Sequence, residues 1–240
     1  MICLFKNINL AGKILYMKTY GSIRVIVTGA TGMVGEGVVH ECLLNQNVES
    51  VLIINRKPSG ISHPKLKEIV HADFFNLSEI ESQFQGYNAC FFCLGVSSIG
   101  LKEAEYTRLT YSLTMNVAQT LSNINNEMIF CYVSGKSTDS SEKGKSMWAR
   151  VKGKTENDLM KLPFGGVYNF RPGFIKPTPG LNNAHKFYNY INWLYPVGRA
   201  LWPDGFCTLK EIGLAMIHTV TVGYEKKILE VKDIIALANL

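Results

Sequence analysis

The stretch IRVIVTGATGMVG, residues 23–35, constrains the fold most. An unbroken apolar run ends in glycine, and a helix-period pattern follows at once. A strand with no polar alternation is buried on both faces, the condition of a central strand in a parallel sheet. Gly29, Gly32 and Gly35 then follow in the spacing G-x-x-G-x-x-G. At a strand-to-helix junction such glycines let the chain turn sharply, let a pyrophosphate approach the backbone and let the helix pack tightly on the strand. The open N–H groups of the helix's first turn face the phosphate at the positive end of the dipole. The turn therefore predicts a nucleotide-phosphate site.

The rest of the chain repeats the alternation. Strands are predicted over 50–56, 67–74, 89–95, 128–135, 165–174 and, last and short, 226–234. Helices are predicted over 33–45, 101–125, 146–161 and 208–220, with a brief one over 78–86. On the first helix Val34, Val38, Cys42 and Leu43 share a face. Capping boxes are read at Ser78 to Glu81 and at Thr208 to Glu211. Strand and helix joined by short links imply an α/β fold, a doubly wound parallel sheet of Rossmann-like kind. The expected organisation is an N-terminal extension over 1–21, floppy or loosely docked, and one dinucleotide-binding domain over 22–240. Within that domain 175–210 is read as a small lid or substrate region.

Composition narrows the function classes. Hydrophobic residues make up 47% of the 240-residue chain, enough for a large core. The net charge is +6, but Lys6, Lys13, Lys18 and Arg24 fall in the first 24 residues, which hold no acid. The remainder is nearly balanced, so a nucleic-acid partner is not expected. No apolar run spans a bilayer, so no stable membrane insertion is expected and a cytoplasmic location is read. Cys90 and Cys93 form C-x-x-C inside a strand pattern, where residues three apart face opposite ways, so neither a disulfide nor a shared metal is expected. The histidines show no metal spacing, and no metal site is read.

The second strand ends in INRKPSG. An NAD site usually places an acid there for the ribose 2′-hydroxyl. Here Asn55 holds that place, followed by Arg56 and Lys57. A guanidinium suits a 2′-phosphate, so NADP is expected over NAD.

TGATGMVG, INR, HADF, CLG, VSG, RVKGKTE and RPGF, taken in order over residues 22–235, resemble the short-chain dehydrogenase/reductase superfamily. The likeness is to its atypical and extended branch, with the NAD(P)-dependent epimerase/dehydratase-like proteins and the Tat-interacting-protein oxidoreductases. The resemblance implies that Gly29, Thr31, Gly32, Met33 and Gly35 line the pyrophosphate. It implies Asp73 and Phe74 at the adenine, and Leu94, Gly95 and Val96 beside the adenosine ribose. Ser134 matches the serine that bonds a substrate carbonyl, and Lys152 the lysine that holds the nicotinamide ribose. Arg171, Pro172, Gly173 and Phe174 would run past the nicotinamide. Active relatives carry a tyrosine four residues before the lysine, and this chain has Trp148. An indole neither gives up nor takes a proton at useful pH.

Residues 187–206 hold seven aromatics, with Phe187, Tyr190, Leu194, Val197 and Leu201 at helical spacing. An apolar lid and ordinary core packing both fit that pattern. Three functions stay open: an NADP-dependent reductase of an apolar carbonyl or enone, a non-catalytic sensor or scaffold that binds the cofactor, and a nucleotide-sugar epimerase or dehydratase. The reductase needs another proton donor, from Ser134, Tyr188, Tyr190 or water. The partner expected is a small-molecule substrate, and the assembly a monomer or homodimer.

Overall fold

The computed structural model describes residues 21–183 and 195–240, and the backbone of 5–10 and 13–18. Strands β1 (Phe5–Leu10) and β2 (Lys13–Lys18) pair antiparallel, with Phe5 opposite Lys18 and Leu10 opposite Lys13. Within the segment expected to be a floppy or loosely docked extension, residues 5–10 and 13–18 thus form regular backbone. Its hairpin forms its own two-stranded sheet.

The main sheet is built from β3 (Ile23–Thr28), β4 (Val48–Asn55), β5 (Leu66–Val70), β6 (Ala89–Phe92), β7 (Ile129–Val133), β8 (Gly166–Arg171) and β11 (Ile228–Glu230). Its order is β11-β8-β7-β6-β3-β4-β5, with every pairing parallel. The order reverses at β3, between β4 on one side and β6 on the other, so a crevice opens at the carboxyl ends there. Short strands β9 (Phe174–Lys176) and β10 (Phe206–Thr208) pair separately and in parallel.

Both faces of the sheet are covered, which explains the apolar runs. Val25, Val27, Val51 and Ile53 join a core with α1 (Met33–Leu44), α6 (Leu209–Thr221) and α7 (Val231–Ala238). Ile26, Leu52, Ile54, Cys90 and Phe92 join the opposite core. Its helical cover runs from α2 (Glu103–Thr107) through a π-helical turn, Arg108–Ser112, into α3 (Leu113–Ile124), and is completed by α4 (Met147–Leu159). On α1, Val38 and Cys42 are fully buried and Val34 and Leu43 half-buried, the face expected. Cys90 and Cys93 lie in opposite cores and are free, as the period-two argument requires. Helix α5 (Tyr195–Leu201) precedes β10.

Two elements differ from expectation. Over 78–86 there is only a 3₁₀ turn, Glu81–Phe84, and no capping box: the Ser78 hydroxyl donates to Asn76 Oδ1 at 2.8 Å. A local side-chain bond has displaced the cap. The segment 226–234 is not all strand. Pairing with β8 stops at Glu230, which caps α7 in a reciprocal box with Asp233. An acid at the cap lies outside the Ser/Thr pattern used to find helix starts. The Thr208–Glu211 box is present.

Candidate functional site

The turn after β3 has the geometry its glycines imply. Gly29 adopts φ +73°, and a Cβ there would meet the Cys93 backbone at 2.8 Å. A Cβ on Gly35 would meet the Gly29 carbonyl oxygen at 2.1 Å, so α1 lies against the turn as only glycine permits. Gly32 is the N-cap of α1 and supplies no side-chain acceptor, which leaves the first-turn N–H groups without a side-chain cap. Glu36, also in that turn, is turned away. Its two oxygens accept the backbone N–H groups of Asn182 and Asn183 at 2.8 and 2.7 Å.

Beside the turn lies a cavity of about 220 Å³ at the topological switch. The turn contributes Gly29, Thr31 and Gly32; β4 and its end contribute Ile54, Asn55 and Arg56; Phe74 and the run Cys93, Leu94 and Gly95 complete the wall. Seven of the residues anticipated for the cofactor therefore meet in one place: Gly29, Thr31, Gly32, Arg56, Phe74, Leu94 and Gly95. Met33, Gly35, Lys57, Asp73 and Val96 sit behind or outside this wall. Phe74 is held by its neighbours: Asn116 Nδ2 donates to its carbonyl at 2.9 Å, and His71 Nε2 lies 2.8 Å from the Asp73 carbonyl and 2.7 Å from that of Asn76.

Asn55 is 3% exposed. Its Nδ2 donates to Glu68 Oε1 at 2.8 Å, and its Oδ1 has no partner among the described residues. The sequence identified Asn55 as the occupant of the acid's place but gave no sign of Glu68, which comes from β5.

The other end of the crevice is arranged differently. Ser134, just past β7, is 5% exposed. Its hydroxyl donates to Glu156 Oε1 at 2.5 Å, and the Phe170 carbonyl lies 3.1 Å away. The resemblance placed this hydroxyl on a substrate carbonyl; a fully buried carboxylate engages it instead. Glu156 also takes both arms of Arg171, Nε at 3.0 Å and Nη2 at 2.5 Å. Arg171 further reaches Ser140 Oγ at 2.5 Å and Glu230 at 3.3 Å. Its guanidinium thus ties β8 to α4 and β11. Pro172 accepts the Lys136 N–H at 2.9 Å, Gly173 backs onto the Gly205 carbonyl, and Phe174 packs with Tyr195 and Phe206 at 6.5 and 5.4 Å between ring centres.

Lys152 and Trp148, four apart on α4, are both half-buried. Lys152 Nζ donates to the Ser134 carbonyl. Burial pushes its ammonium down to about 8, with the carboxylate of Glu156 opposing. Among the described residues no group of His, Cys, Asp and Glu could hold a metal.

Of the anticipated lid, Phe187, Tyr188, Tyr190 and Leu194 lie outside the described residues. Val197 and Leu201 are 54% and 78% exposed, so these two are not core. Arg199 anchors α5 through a two-armed bond to Glu211 at 2.9 and 2.6 Å. Among the described residues no helix is long and apolar enough to cross a membrane.

Comparison with known proteins agrees with this architecture. The chain is 24% identical over 209 residues to Protein FMP52, mitochondrial, of Candida albicans, covering 84% of this chain and 87% of that one. It is 27% identical over 175 residues to Protein HTATIP2 of Rattus norvegicus, covering 70% and 71%. The structure of the Bordetella bronchiseptica enzyme WbmG in complex with NAD and UDP superposes with TM-score 0.61 at 13% identity, over 90% of this chain and 77% of that one. That likeness establishes the fold, a Rossmann-like α/β sheet. Residues 25–142, from β3 to the loop before Trp148, match the model of the NAD dependent epimerase/dehydratase family, and the resemblance read from the sequence holds at that level.

Proposed function

We propose that the chain binds NADP(H) and acts as a reductase of an apolar carbonyl or enone. The observation that carries the reading is the cavity at the switch point, where an open helix N-terminus, a buried acceptor at Asn55 and the Arg56 guanidinium converge. The residues present fit a dinucleotide. Gly29 and Gly35 let the turn close tightly on the Cys93 backbone and on α1, the close approach a pyrophosphate turn needs, and among the described residues Asn55 Oδ1 lacks the donor that a ribose hydroxyl offers. Arg56 and Lys57 are exposed, and among the described residues neither is held in an ion pair; the Glu68 carboxylate nearby is occupied by Asn55 and the Ser59 N–H, which leaves both cations open to a 2′-phosphate. The cofactor would supply a hydride.

The chain's own contribution is to bind, orient and hold a proton. Trp148, half-buried on α4, can donate only through its indole N–H. The Ser134 hydroxyl is engaged by Glu156 and so is not free to donate to a substrate without breaking that bond. Lys152 Nζ, brought to about 8, is a group of this end that can hold or release a proton near neutral pH. The exposed side chains of α5 suit a lid over an apolar substrate. A cytoplasmic location belongs to the same reading.

Calorimetry with NADPH and NADH tests it, with Arg56→Ala as the comparison. One charge-assisted phosphate contact contributes roughly 1.5–3 kcal/mol, so a preference for NADPH of about tenfold or more is expected, and Arg56→Ala should erase most of it. Equal affinities, or a preference for NADH, would overturn the NADP assignment.

A further inference from the structure

Asn55 and the loop that follows it share one anchor. Glu68 stands on β5, across the register from Ile53. Its Oε1 accepts Asn55 Nδ2 at 2.8 Å and the backbone N–H of Ser59 at 2.8 Å. The first bond decides the orientation of the amide. A carboxylate can only accept, so the amide nitrogen must face Glu68 and the oxygen must face the other way. That oxygen is buried, unpartnered among the described residues and part of a residue lining the cavity. The second bond closes the loop 55–59, which carries Arg56 and Lys57 past the cavity mouth. Glu68 itself is not among the residues of the cavity wall.

We infer that Glu68 is the positioning residue for cofactor selectivity in this chain. From outside the cavity it fixes an acceptor for an adenosine ribose hydroxyl and holds the loop whose cations meet the ribose phosphate. The inference rests on the dinucleotide reading above and adds to it the residue that sets the choice. The sites have distinct tasks. Asn55 Oδ1 accepts from a hydroxyl that both cofactors carry. The loop cations act only on the phosphate of NADPH. A free amide would turn and present its Nδ2 to the ribose in part of the population. A free loop would have to be ordered at the moment of binding.

The test is calorimetry of NADPH and NADH against wild type, Glu68→Ala, Glu68→Gln and Ser59→Pro, with thermal melts to establish folding. Glu68→Ala should weaken NADH about fivefold through the lost hydroxyl contact, and NADPH by about tenfold or more, so the preference narrows. Glu68→Gln keeps an acceptor for both donors and should stay within about threefold of wild type for each cofactor. Rescue by glutamine separates positioning from a simple charge effect, because removing the carboxylate's charge alone would strengthen phosphate binding in both variants. Ser59→Pro removes the N–H that Glu68 accepts, together with the hydroxyl that accepts the Ile61 N–H at 3.2 Å, and leaves the Asn55–Glu68 bond in place. It should narrow the preference while NADH affinity holds, and it decides the matter should Glu68→Ala not fold. Wild type that binds neither cofactor overturns the cofactor reading and this inference with it. Wild type that binds NADPH, with affinities and preference unchanged in Glu68→Ala or in Ser59→Pro, overturns this inference alone.

Discussion

Removing the Arg171 guanidinium should be severe for stability and mild for cofactor binding. Glu156 is fully buried and Arg171 is 8% exposed. The pair is two-armed, at 3.0 and 2.5 Å, and links α4 to the end of β8. Arg171→Met keeps the aliphatic bulk and leaves Glu156 with the Ser134 hydroxyl as its remaining side-chain donor among the bonds described. Breaking a buried pair from one side costs about 3–5 kcal/mol. The second carboxylate, Glu230, is 43% exposed and 3.3 Å away, so its share is under about 1 kcal/mol. The double variant Arg171→Met, Glu156→Met removes both charges and should recover most of the loss, since well-packed apolar replacements of such pairs are close to neutral. Urea unfolding of the four proteins completes the cycle.

A loss under 1 kcal/mol, or a double variant as unstable as the single, would refute the reasoning. So would a large fall in NADPH affinity in a folded Arg171→Met protein, which would mean that the guanidinium serves the cofactor after all.

Two further outcomes concern α4. The Lys152 ammonium, followed by NMR of the dimethylated side chain, should titrate near 8; the folded state binds this proton more weakly than the unfolded chain does, so Lys152 lowers stability below that value and the penalty is relieved as pH rises from about 8 to the usual lysine range. Trp148→Tyr puts a phenol one turn from Lys152 and should raise the reduction of small ketones, aldehydes or quinones by NADPH by about 10²–10⁴ through general-acid help; a wild type that is already fast, with the variant neutral or slower, would show that another group is the acid.

The parallel sheet and its glycine turn were legible because their causes are local. Apolar runs without alternation report burial on both faces, and the strand-to-helix glycines report a turn with a close approach. Ile26 and Val27 illustrate the first: neighbours in sequence, they enter opposite cores and neither is exposed. What stayed hidden depends on partners distant in sequence. Nothing around VSGKS says that Ser134 will be met by a carboxylate twenty-two residues on. Nothing in KEIV says that Glu68 will reach Asn55, because a strand's polar face is ordinarily solvent. The aligned motif likewise placed Arg171 by position along the chain, whereas its rotamer is decided by Glu156, a residue on another element. The helix α7 was missed for a local reason, an acid serving as cap where a hydroxyl was sought.

The two ends of the crevice differ in how much polar capacity they leave open, and this bears on where binding energy arises. At the inner end the groups satisfy one another. Glu156 uses its oxygens on Arg171 and Ser134, and Lys152 uses a donor on the Ser134 carbonyl. A ligand arriving there must compete with bonds already made, so its net gain is small. At the proposed adenosine end Asn55 Oδ1 is buried without a donor among the described residues, and the N-cap of α1 brings no side-chain acceptor to the first turn. A ligand that supplies those partners removes a standing desolvation penalty, and its gain is correspondingly larger. Affinity for a dinucleotide should therefore come mainly from the adenosine half. Under the proposed function, an indole at Trp148 in place of a phenol would change chemistry at the far end with little effect on retention, and the chain would hold a dinucleotide firmly while the reacting end adopted a different proton donor.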